Sequence, residues 1–207
     1  MKLLILHLSD IHFEKNGDVS GKNTEGIIRA LKTIDTFSYV IVVISGDIAY
    51  SGKVSQYNTA YKFFSNLKNR IKQEFDIGMV EFIVVPGNHD IDYDKGSLGH
   101  SELEEIFRQN SQDLKLADES KKMNAFYNHA NGLQCFHDKS RFVCTRDIVI
   151  DKNILHFNLI NTAAFSSLEE DQGFHYLSSV DMNILSEEKR VIMFLQSCII
   201  RITGLII

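Results

Sequence analysis

A chain of 207 residues, 44% hydrophobic and 24% charged, is long enough to bury a real core and too mixed in composition for a disordered or fibrous protein. Its formal net charge of −5 carries no general nucleic-acid footprint, although a local basic patch fits inside that total. Cys135, Cys144 and Cys198 are odd in number and form no C-x-x-C pair, which argues for reduced thiols in a cytoplasmic protein. Leu3 to Leu6 is too short an apolar run for a signal peptide, and His7 ends it. On length the chain is one domain.

Lys2–Leu8 reads as a first strand closing on Ser9-Asp10-Ile11-His12, and residues 14–23 as a loop. Thr24 is placed to cap a helix whose apolar residues Ile27, Ile28, Leu31 and Ile34 keep helical spacing. Tyr39–Ile44 is a second continuous apolar strand, running into Ser45-Gly46-Asp47-Ile48-Ala49-Tyr50. Ser55 is placed to cap a long helix with Tyr57, Tyr61, Phe64, Leu67, Ile71 and Phe75 on one core-facing stripe. Val80–Val85 is a third strand, halted by Pro86-Gly87 and followed at once by Asn88-His89-Asp90.

Continuous apolar strands alternating with helices imply a parallel sheet covered on both faces. Ligands of such sheets sit beyond the carboxyl ends of the strands. Asp10 and His12, Asp47, and Asn88, His89 and Asp90 all fall there.

Residues 97–140 form a charged, mostly helical stretch with Leu103, Ile106, Phe107, Leu114 and Phe126 as its buried side, read as a cap inserted beside the site. Asp147–Ile150 and Ile154–Ile160, joined by Asp151-Lys152-Asn153, read as a hairpin opening a second sheet. Ser179–Leu185 is expected to be a short helix, and Arg190–Phe194 to start another strand. His129, His137, His156 and His175 match no motif and are placed at the surface or at caps; Cys135 and Cys144 read as buried or partly buried thiols.

Asp, His, Asp, Asn and His converging from three strands make an oxygen/nitrogen donor set suited to manganese, iron, cobalt, nickel or zinc rather than calcium. Asp10-x-His12, Gly46-Asp47 with Tyr50 following, and Gly87-Asn88-His89-Asp90 resemble, in order and spacing, the calcineurin-like metallophosphoesterases. Any one of these motifs is weak: an isolated Asp-x-His is more often a turn with a surface histidine. Three in order on three strand ends are specific. The resemblance covers residues 1–90 closely.

It implies an α/β fold, a four-layer αββα sandwich, here with the second sheet incomplete and a helical insertion. It implies two divalent cations. Asp10 and His12 would hold the first, Asp47 would bridge, and Asn88 would hold the second. A metal-bridging hydroxide would attack phosphorus in line. His89 would protonate the leaving oxygen or stabilise its charge, and Asp90 would orient and polarise His89. Purple acid phosphatases of the same superfamily use a tyrosine ligand three residues after this aspartate, but they lack the first-motif histidine. Because His12 is present, Tyr50 is read as packing. No arginine follows Gly46-Asp47 in that segment, unlike in the Ser/Thr protein phosphatase branch, which favours a phosphodiesterase-like or small-substrate branch.

Two later motifs of the family are missing: a strand-end histidine followed by proline, and Gly-His-x-His. The second metal site is therefore expected to be incomplete, with Asp47 and Asn88 only. The chain also has one proline and no tryptophan, against about ten prolines at roughly 5% usage. One plausible set of codons from Leu195 onward, read in a shifted frame, gives Ala-Ile-Met-His-Tyr-Pro-Tyr-Asn-Trp-Phe-Asp-Asn. That segment supplies a strand, the histidine, a proline and a tryptophan together. Residues 191–207 are accordingly expected to be an out-of-frame tail on a single truncated domain spanning 1–207. As a membrane anchor Val191–Ile207 is poor, being interrupted by Gln196 and Arg201.

The function expected is metal-dependent phosphoester hydrolysis, with a cyclic nucleotide or other small phosphodiester favoured over nucleic acid and no membrane partner. A metal-dependent nuclease is one alternative. The other is a catalytically impaired remnant that binds metal or a protein partner, and the truncated chain is expected to turn over little.

Overall fold

The computed structural model describes residues 2–14, 20–96, 99, 101–102, 105–106, 109, 118–167, 192–195 and 198–203. Its first sheet has three parallel strands, β1 (Leu3–Leu8), β2 (Tyr39–Ser45) and β3 (Met79–Val85), in the order β1-β2-β3. The central strand shows why the order holds. Val40, Ile41, Val42, Val43 and Ile44 are all fully buried, so β2 is apolar on both faces and needs a neighbour on each side and a layer above and below.

Helices α1 (Ser20–Leu31) and α2 (Val54–Phe75) are the two crossovers, and they meet through Arg70, which pairs with Glu25 at 3.1 Å. Both helix starts differ from expectation. Thr24 lies a turn inside α1 and is buried, and α1 ends at Leu31, leaving Ile34 exposed. The N-cap of α2 is Lys53, not Ser55. The Gln56 side chain folds back to accept from the backbone N–H of Lys53 at 3.0 Å and of Ser51 at 3.1 Å. Along the α2 stripe Tyr57, Phe64, Leu67 and Ile71 are core residues, whereas Tyr61 is exposed.

Helix α3 (Asn124–Gly132) packs on α2 and buries Phe126, His129 and Ala130, with Leu133 just past its end. The rest of the stretch expected as a cap, including Leu103, Phe107 and Leu114, lies outside the described residues, while Ile106 is buried. Two histidines expected at the surface or at caps are drawn inward, His129 buried and His137 half-buried. The His129 ring sits among Tyr57, Tyr61 and Phe64, with centroids 5.2, 6.4 and 5.8 Å away, and among the described residues neither ring nitrogen has a hydrogen-bond partner. The His137 Nε2–H donates to the Val84 carbonyl at 2.8 Å. The signal for His129 was in the sequence, because Phe126, His129, Ala130 and Leu133 keep i, i+3, i+4, i+7 spacing.

The second sheet is antiparallel, ordered β4-β5-β7-β6, from β4 (Val143–Ile150), β5 (Asn153–Ile160), β6 (Ile192–Leu195) and β7 (Cys198–Thr203). The expected hairpin is present, turning at Asp151 in the left-handed region with φ 54°. The strand expected from Arg190 is β6, and β7 then pairs with β5 from Leu159↔Cys198 to Ile154↔Thr203. The helix expected over Ser179–Leu185 lies outside the described residues, as do His175 and residues 191, 196–197 and 204–207. Side chains from the approach to the second sheet seal the open edge of β3. The Val84 N–H donates to Cys135 Sγ at 3.4 Å, Val84 O accepts from His137, and Phe82 O accepts from Arg146, which also pairs with Glu81. Among the described residues, the edge of β3 is thereby closed by side chains, with no further strand beside it.

Burial pushes both histidines down, each from 6.5 to about 4, at His137 against the opposing hydrogen bond to the Val84 carbonyl and with the Arg146 charge adding to the effect. The unfolded chain therefore binds protons between pH 6.5 and 4 that the fold does not take up. The stability due to the neutral rings is complete above pH 6.5 and lost as the pH falls toward 4, by roughly 1–3 kcal/mol for each ring. His129→Leu is expected to shrink the drop in urea midpoint between pH 7 and pH 5. An unchanged drop would assign the acid sensitivity to other groups.

Candidate metal centre

Parallel pairing sets the strand ends level, with Leu8 beside Ile44 and Ser45 beside Val85. The turns that follow are then laced to one another by backbone bonds. Asp10 N–H donates to Gly46 O at 3.3 Å, Ile11 and His12 N–H both to Asp47 O at 3.0 Å, Phe13 N–H to Ile48 O at 2.8 Å, and Tyr50 N–H to Phe13 O at 3.2 Å. Phe13, fully buried, forms a bridge with Ala49. Three non-glycine residues on these turns are left-handed, with φ of 53° at Asp10, 52° at His12 and 53° at Asp47. Each costs on the order of 1–2 kcal/mol, a strain that recurs at functional sites and persists only where neighbours over-determine it.

Close approach of the second and third turns requires a glycine. A Cβ at Gly87 would lie 2.2 Å from Asp47 Oδ1 and 2.7 Å from Asp47 N. Across this contact the His89 N–H donates to Asp47 Oδ1 at 3.0 Å.

The outcome is a triad. His12, Asp47 and His89 present donor atoms that all lie within 4.8 Å of one another. The two imidazole rings are 4.5 Å apart and nearly perpendicular, at 80°. His89 Nδ1 lies 2.8 Å from the Tyr50 carbonyl, which only accepts, so Nδ1 carries the proton and Nε2 keeps its lone pair. His12 Nδ1 is buried and has no hydrogen-bond partner among the described residues. Two imidazoles and a carboxylate with one orphaned nitrogen fit a borderline divalent cation.

This set differs from the expected one. His89, expected to act on the leaving group alone, joins the triad, whereas Asp10 is exposed and stands outside it. Asn88 is exposed at the head of the 3-10 turn Asn88–Asp90. Tyr50, expected to be packing, is 53% exposed, with its ring 5.8 Å from that of His89 and 6.2 Å from that of His12.

Asp90 departs furthest from expectation. It is fully buried, and its carboxylate accepts from Gly87 N–H at 3.0 Å, Ala49 N–H at 2.9 Å, Ile48 N–H at 3.3 Å and the Tyr57 hydroxyl at 2.6 Å. Sitting third in a 3-10 turn, it folds back on the start of that turn, and the position behind the His89 ring is taken by the Tyr50 carbonyl. Burial pushes Asp90 up against the opposing pull of those hydrogen bonds. Burial, then the adjacent Asp90 charge, drives the Tyr57 hydroxyl well above its ordinary value, so Tyr57 stays protonated and donates.

A family model described as calcineurin-like phosphoesterase matches residues 3–196. The chain belongs to the calcineurin-like phosphoesterase family. A search of curated proteins returns no match. Family membership implies metal-dependent phosphoester hydrolysis, and the match embraces the three turns that carry His12, Asp47 and His89 together with β1 to β6. Among the described residues, no helix is long and apolar enough to cross a membrane.

The Asp90 staple makes a testable energetic claim. Tyr57→Phe removes a charge-assisted hydrogen bond and is expected to cost about 1.5–3 kcal/mol of unfolding free energy. In an Asp90→Ala background the same change is expected to cost much less, because the two groups act as a pair. Urea unfolding of the four variants checks this, and additive losses would contradict it.

Proposed function

We propose that this phosphoesterase is a hydrolase of small phosphodiesters, with a cyclic nucleotide favoured over nucleic acid, working in the cytoplasm. The observation that carries the reading is the convergence of His12, Asp47 and His89 within 4.8 Å at the carboxyl ends of a parallel sheet. Further support comes from the absence of a general basic footprint at a net charge of −5. Free Cys135 and Cys144 accord with a reducing compartment. The layering, in this reading, is the αββα sandwich of the family.

Asp47, His12 and His89 would hold a divalent ion of the manganese, iron, cobalt, nickel or zinc class. Exposed Asp10 and Asn88 would add oxygen donors at the rim, toward a second ion. Such ions supply Lewis-acid charge for the phosphoryl oxygens and for the attacking water. The protein's part is to fix geometry. The Tyr50 carbonyl pins His89 Nδ1–H, so that Nε2 is the nitrogen left to meet the ion. Asp47 keeps one oxygen on the His89 amide, which sets its carboxylate against both imidazoles. Asp90 supports the site by holding its turns.

A second reading is favoured by one feature. The triad supplies donors for a single ion, which suits a chain that binds metal, or a protein partner, with little turnover.

Purified protein with Mn²⁺ is expected to release p-nitrophenolate from bis-p-nitrophenyl phosphate. Asp47→Ala is expected to lose at least about 100-fold in kcat/KM, roughly 2.7 kcal/mol of transition-state stabilisation. Chelator-insensitive turnover, or an unimpaired Asp47→Ala variant, would refute the hydrolase reading. Metal binding without turnover would select the second one.

A further inference from the structure

Tyr50 is an aromatic side chain that the fold holds out of its core, next to the triad. Its neighbour in the lacing, Phe13, is fully buried, whereas Tyr50 is 53% exposed. Isolated surface aromatics are common and ordinarily need no explanation. This one is anchored. Its N–H is bound to Phe13 O at 3.2 Å, and its carbonyl is bound by His89 Nδ1 at 2.8 Å. The side chain thus leaves a backbone fixed from two directions. Its ring is tilted at 44° to that of His89 and at 71° to that of His12, stacked flat on neither. A half-open ring carried on a backbone held from two directions, beside two donor imidazoles, is placed to meet whatever group is carried by a phosphoryl centre at the triad.

We infer that Tyr50 is a specificity-determining residue, whose ring stacks on a planar group of the phosphoester. The site then prefers aryl or nucleoside esters to alkyl esters. The inference rests on reading the triad as the phosphoryl site and adds the class of ester that the site selects. Aromatic rings and nucleobases all offer a π-face, so such stacking tolerates many rings and depends on the tyrosine ring rather than its hydroxyl. A metal-ligand role for Tyr50 would have the opposite dependence, because it needs the oxygen.

The test is calorimetric titration of the Mn²⁺-loaded full chain with phenylphosphonate and methylphosphonate, which share a headgroup and undergo no turnover. Wild type is expected to bind the phenyl compound roughly tenfold tighter. In Tyr50→Ala that ratio is expected to fall to about one, while Tyr50→Phe keeps it, and circular dichroism checks that both variants are folded. A ratio unchanged in Tyr50→Ala overturns the inference, as does a ratio lost in Tyr50→Phe. Equal binding of the two phosphonates by wild type overturns it and leaves the phosphoesterase reading standing. Binding of neither removes both.

Discussion

The site depends on a carboxylate that never faces it. Asp90 is buried completely, and its acceptor capacity is taken up by the Gly87 N–H on its own turn, the Ile48 and Ala49 N–H groups on the neighbouring turn, and the Tyr57 hydroxyl from α2. In a low-dielectric interior each of these groups is costly to leave unpaired, so the arrangement is held as a set. The turn after β2 is thereby tied to the turn after β3, and both are tied to the first long helix. The backbone lacing of residues 10–13 onto Gly46, Asp47 and Ile48 adds the third turn. Together they offset the left-handed strain at Asp10, His12 and Asp47.

The rest of the fold supports this rim. β2 is apolar throughout and rigidly positioned, and its register with β1 and β3 sets three polar turns side by side. Gly87 allows two of those turns to touch, and the Tyr50 carbonyl turns His89 toward Asp47. Farther from the rim, Cys135, His137 and Arg146 close the outer edge of β3 and bring the second sheet against the first. The half-buried triad thus stands on turns whose backbone is held by the Asp90 carboxylate and by the lacing between strand ends.

Much of this was legible in the sequence, since unbroken runs such as Tyr39–Ile44 can only be buried strands and their polar endings name the site. The three motifs pointed to the family, and the matched span bears that out. Facts depending on turn geometry were not legible. A 3-10 turn at Asn88–Asp90 sends Asp90 back into its own turn, away from the role of polarising His89, and no residue spacing announces this. Tyr50 reads as a packing residue because His12 sets the first motif apart from the branch that uses a tyrosine ligand there, and nothing in that comparison announces that the ring is exposed. The start of α2 shifted because the Gln56 side chain, rather than a hydroxyl, folds back onto the backbone N–H groups of Lys53 and Ser51 ahead of the helix. The burial of His129 was readable from helical spacing, but a histidine's polarity outweighs its position when residues are judged by type.

The most direct measurement is an anomalous-difference map from crystals of the full chain grown with Mn²⁺. A strong peak is expected, bounded by the side chains of His12, Asp47 and His89, with Asp90 still bound to Tyr57 and turned from the ion. A map with no peak at that triad, or with manganese held by other residues alone, would contradict it.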